Sequence, residues 1–163
     1  MKRRCYALVL CLISLIWIGC GEDENVPPGD VGSDSETILN PELVENRNKW
    51  QSKGIRDYEF SFQWSCFCTE ELVAPVNVSI VDGAIDTIVS AGDGLSLDSS
   101  RFKDYRSVDG LFDFIQKAFD RKAHSIIVTY DAEFGYPKRA DIDYNEFTID
   151  EERGFNFGDF VVR

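Results

Sequence analysis

Two cysteines one residue apart, Cys66 and Cys68, and a late acidic run, Asp141, Asp143, Asp150, Glu151 and Glu152, are the residues whose types and spacing could do chemistry. A close thiol pair has three uses: a small structural disulfide, two buried free thiols, or a working redox pair. In an extended strand, residues two apart sit at roughly 6.6 Å, near the upper limit of disulfide Cα spacing. A bond between Cys66 and Cys68 therefore requires the strand to bend or end there. No basic residue flanks either thiol in the sequence, so nothing local lowers a thiol pKa as redox work needs.

The acidic run admits calcium. Asp141, Asp143, Asn145 and Glu152 fall on positions 1, 3, 5 and 12 of a calcium-loop template. Position 6, where glycine makes the sharp turn, is Glu146, and flanking helices are missing. A looser site using Asp150, Glu151 and Glu152 is the other metal reading; a solvated acidic turn is the plain one. The single histidine, His124, has no zinc-type partners around it. GxSxG, HExxH and phosphate-cradling glycine loops are absent from the sequence. Tyr130, Asp131 and Tyr136-Pro137 could line a groove, and core and turn roles explain them equally well. No cofactor is expected beyond calcium, and a catalytic role is the less favoured one.

The cysteines are carried by the stretch Asp57 to Cys68. Its even positions are Tyr58, Phe60, Phe62, Trp64, Cys66 and Cys68, alternating with mostly polar odd positions. That is a half-buried strand with one greasy face. Asn40-Pro41 starts a helix before it, to about Lys53, with Leu43, Val44, Arg47 and Trp50 as its stripe. Val76, Val78 and Ile80 precede Asp82-Gly83, a two-residue hairpin signal. Folding there sets Ile80 opposite Ile85, Val78 opposite Thr87 and Val76 opposite Val89. Residues 91–106 read as a loop. Ser107 caps a second helix, with Val108, Leu111, Phe112, Ile115, Ala118 and Phe119 at helical spacing. Three strands follow, around Ile126 to Tyr130, Ala140 to Tyr144, and Phe155 onward. The pattern predicts one α+β domain over residues 41–163, an antiparallel sheet packed by two helices.

The amino end sets the address. Lys2, Arg3 and Arg4 precede an apolar run, Tyr6 to Ile18, too short to span a bilayer comfortably. Ile18-Gly19-Cys20 resembles a bacterial lipobox, with Trp17 where leucine is usual. This implies a signal peptide over residues 1–19 and a lipid-carrying Cys20. Residues 20–40 hold prolines, glycines and acids without a base, and read as a flexible tether. Glycine rather than aspartate after Cys20 points to the outer membrane or the periplasmic face of the envelope. The net charge of −12 repels phosphate backbones, which argues against nucleic acid and leaves cationic partners or divalent ions.

CFC at the end of an aromatic strand, VSIVDGAI, VDGLFDFI, YDAEFGYPKRADID and IDEERGF together resemble an uncharacterised family of bacterial lipoproteins, a domain of unknown function. The likeness covers about residues 45–163. It implies a lipid-anchored envelope protein with one domain, and no activity. The expected role is a binding or assembly module that meets an unknown envelope protein. A thiol redox protein and a calcium-binding protein are the alternatives.

Overall fold

Asn40 and Pro41 start the first helix as their chemistry dictates. A computed structural model describes residues 39–148 and 150–163, so the expected signal peptide, the expected tether up to residue 38 and Cys20 lie outside the described residues. Helix α1 spans Pro41–Ser52. Asn40 Oδ1 accepts the Leu43 N–H at 3.0 Å, satisfying one of the orphan donors of the first turn. Leu43 and Trp50 are buried, while Val44 is exposed, so the apolar stripe is narrower than the sequence suggests. Arg47 joins by another route: its guanidinium lies 5.4 Å from the Phe112 ring and donates to Asp113 at 2.9 Å.

Strand β1, Tyr58–Cys66, buries Tyr58, Phe60, Phe62 and Trp64, and its alternate residues are half-buried or exposed. The rings meet along the strand and across it. Phe62 and Trp64 lie edge to face at 5.0 Å, Phe60 stacks on Phe157 at 4.3 Å, and Trp50 of α1 meets Tyr58 at 5.3 Å. Aromatic side chains bury about 150–250 Å² each, so this layer dominates the core. Trp64 keeps its indole N–H satisfied by donating to the Asp104 carbonyl at 2.9 Å.

Strands β2, Val76–Val81, and β3, Ala84–Ser90, form the hairpin. Asp82 and Gly83 both adopt positive φ, 52° and 78°, as a two-residue primed turn requires. Ile80 pairs with Ile85 as expected, but a register shift follows. Val78 then faces Ile88 rather than Thr87, and Val76 faces Ser90 rather than Val89. The cause is burial. Without the bulge the strict alternation would turn Ile88 outward; with it Ile88 is fully buried and Thr87 is not.

Two short elements were not expected: helix α2, Glu70–Val73, and a 3-10 helix, Ser99–Asp104, inside the stretch read as loop. Helix α3 runs Val108–Asp120, with Ser107 Oγ accepting the Gly110 N–H at 3.3 Å. Val108, Leu111, Phe112, Ile115 and Ala118 are its buried residues. Strands β4, Ser125–Tyr130, β5, Pro137–Asp143, and β6, Arg153–Val162, complete the chain; Tyr144 falls just beyond β5. The result is mixed α+β. All pairings are antiparallel, in one six-stranded sheet of order β3-β2-β1-β6-β5-β4. The last strand is thus inserted at the centre, between β1 and β5.

Candidate functional site

The CFC corner is where β1 stops. The Cα atoms of Cys66 and Cys68 are 5.3 Å apart, shorter than a straight strand allows, and the two sulfurs stand at disulfide distance. The strand ends at Cys66, which is the condition the spacing imposed. Closing so small a ring leaves the intervening side chain outside it: Phe67 is 87% exposed.

Beside this corner the open face of the sheet holds a depression of 420 Å³. Its floor is a row across four strands, Ser65 of β1, Gly154 of β6, Asp141 of β5 and Ile127 of β4, each the register partner of the next. Glycine is obligatory in that row. A Cβ on residue 154 would lie 2.3 Å from the Ala140 carbonyl oxygen. The missing side chain is what makes the floor low. Phe67 and Ile127, 60% exposed, supply apolar rim; Asp141, Asp143 and Glu152 supply charge.

Those charges are partly tied. Arg139 donates from Nε to Asp141 Oδ2 at 2.6 Å and from its second nitrogen to Oδ1 at 3.2 Å. The carboxylate beside it raises the Arg139 pKa further. Asp143 Oδ1 accepts the Asn145 N–H at 2.9 Å, and Asn145 Oδ1 accepts the Phe147 N–H at 3.0 Å. Arg153 is the register partner of Cys66 on one side and of Ile142 on the other. Register therefore sets a basic residue beside Cys66, from a strand far away in sequence.

Over residues 42–162 the chain matches a protein family described as "Family of unknown function (DUF6174)". The chain belongs to that family. No curated protein and no solved structure matches it. The matched span of this DUF6174 chain contains the whole depression and begins after Cys20.

The acidic candidates divide. Asp141, Asp143 and Glu152 come together with Cys66 in the depression. Asp150 and Glu151 line a different cavity of 590 Å³ with Lys117, Arg121, Tyr144 and Arg153. Among the described residues, no three His, Cys, Asp or Glu side chains are grouped to hold a metal ion. His124 is exposed. The Tyr130–Tyr136 segment serves its own turn: Asp131 Oδ1 accepts the N–H groups of Glu133 and Phe134 at 2.9 and 2.8 Å. Burial, helped by the nearby Asp131, pushes the Tyr136 phenol up to about 12. Sequence reasoning passed over Phe67, Ile127, Gly154 and Arg153. Phe67 carried a signal, because it occupies an odd, outward position of the aromatic stretch. The other three needed the strand order.

Proposed function

We propose that this chain is a non-catalytic binding module of the bacterial cell envelope, anchored by lipid on Cys20, that offers the depression beside the CFC corner to a cationic partner. In this reading α1 and α3 form the layer over one sheet face, and the tether gives the other face its reach. The supporting observation is the composition of the depression: three carboxylates about a low floor, with Phe67 held out at the rim. An exposed aromatic on a closed ring binds at low entropic cost, since little freedom is left to lose. Carboxylates without a grouped metal set suit lysine or arginine side chains, and net charge steers such partners in.

The test is an NMR titration of the full chain with a lysine- and aromatic-containing peptide. Shifts confined to Phe67, Ile127, Asp141 and Glu152 support the reading; shifts elsewhere, or none, end it. Calcium titrated alone is the competing arm, and heat with calcium but not with peptide would replace cation-peptide binding by metal binding. Mass spectrometry of the mature polypeptide tests the address separately, by whether residue 20 carries diacylglycerol.

A second reading, thiol redox work, gains from one observation: Arg153 opposite Cys66. A facing guanidinium favours thiolate over thiol. A pair that stays oxidised in a glutathione buffer would dispose of it.

A further inference from the structure

The sheet has two edges, and they are built differently. The β3 edge is covered. Ser90 donates its N–H to the Leu95 carbonyl at 2.9 Å, the Leu97 N–H donates to the Ile88 carbonyl at 2.8 Å, and Val89 makes a bridge with Ser96. A bulge and the charged, exposed Asp86 blunt it further. These are the usual devices against edge-to-edge pairing. The β4 edge has none of them along its middle. Ser-Ile-Ile-Val-Thr-Tyr carries no charge, proline or glycine, its one register shift lies at Tyr130, and among the described residues no segment pairs with its outer side. Its central Ile127 is 60% exposed.

What flanks β4 says what fits it. Arg121, Lys122 and His124 precede the strand, and Asp131 and Glu133 follow it. A strand that is basic at its start and acidic at its end is complementary to itself when the two copies run antiparallel, and to a parallel copy it is not. We propose that β4 pairs antiparallel with β4 of a second copy of this chain. The contact is isologous, so it closes at two copies. A two-fold axis perpendicular to the sheet joins two six-stranded sheets into one and keeps both open faces on the same side. Ser125 and Ile127 then lie at the seam, so the two depressions they help to line adjoin across it. The seam stands whether or not a cationic peptide fills either depression. Net charge of −12 on each chain opposes association at low ionic strength, so the pairing belongs to physiological salt, where charges farther apart than about 8 Å are largely screened.

The test is sedimentation equilibrium of the full chain in density-matched detergent at physiological salt. The expected species is a dimer. Ile127→Lys should raise its dissociation constant about tenfold or more. Lys122→Glu and Glu133→Lys, both at exposed turn positions, should each weaken it about threefold, and an equimolar mixture of the two variants should restore wild-type affinity by heterodimer formation. Thermal melting of each variant reports its folding, and the exposed charge variants keep the question open to measurement if Ile127→Lys unfolds. A wild-type chain that stays monomeric overturns the proposal, including one that is found bound to a strand of a different protein. A dimer that ignores Ile127→Lys, or a mixture that does not recover, overturns the antiparallel β4 seam.

Discussion

Phe62 and Gln63 are neighbours in the chain and belong to opposite faces of one sheet. Phe62 is buried between Trp64, Phe155 and Tyr105, with ring centroids at 5.0, 5.7 and 6.2 Å. Gln63 is exposed and donates from Nε2 to the Val73 carbonyl at 2.9 Å. The covered face is made by what fills it, the open face by what is left out, since Gly154 sets the floor of the depression by lacking a side chain. The lesson is a division of labour at single-residue resolution: even positions of β1 hold the fold, and odd positions are free to be shaped for recognition.

The largest effect should come from the covered face. Phe62→Ala should cost about 3–5 kcal/mol, the lost transfer energy plus a cavity that the surrounding rings cannot close. Gln63→Ala, one residue away, should cost no more than about 1 kcal/mol. Urea unfolding of the two variants gives the ratio directly. Equal costs would break the distinction between faces. Gly154→Ala sharpens it from the other side. It lies on the open face, yet its methyl group would meet the Ala140 carbonyl oxygen at 2.3 Å. We expect a loss of roughly 2–3 kcal/mol, because two paired backbones must part. A neutral result would mean that the floor is not rigid.

The covered face was readable in advance, and the open one was not. Alternation over Tyr58 to Trp64 is a local signal, and so are the Asn40 and Ser107 caps; each depends on residues within a turn or two. The β3 register failed at Thr87 because a bulge trades local regularity for the burial of Ile88. The depression is nonlocal throughout. It exists because β6 enters between β1 and β5, which sets Gly154 beside Ser65 and Arg153 beside Cys66, about ninety residues earlier. Charge spacing along 141–152 suggested one acidic group, whereas the structure puts Asp150 and Glu151 in a separate cavity from Asp141, Asp143 and Glu152.

Alkali should attack the covered face first. Burial pushes the Tyr58 phenol up to about 12, outweighing the Val108 N–H that donates to its oxygen at 3.0 Å. The folded state thus holds this proton more tightly than the unfolded chain, whose tyrosine titrates near 10. Its contribution is complete below pH 10 and is lost as pH rises from 10 through about 12, on the order of 2 kcal/mol in all. Urea midpoints at pH 9, 10 and 11 should fall steeply for the wild type and less steeply for Tyr58→Phe. Parallel slopes would show that the phenol is not the group responsible.

The smallest effect on stability should belong to Phe67, and that is its value as a test. Its ring is 87% exposed, so Phe67→Ala removes almost no buried area. The melting curve should stay within about 0.5 kcal/mol of wild type. If the ring is the anchor at the rim of the depression, the same substitution should weaken binding of a lysine- and aromatic-containing peptide by about thirtyfold, the scale of a central aromatic contact. Gln63→Ala, on the same face but outside the depression, should leave binding unchanged. The two readouts move independently only if the open face is specialised as argued. A Phe67→Ala chain that binds normally would make the exposed ring an ordinary surface residue, and a chain that loses binding and stability together would return Phe67 to the core's account.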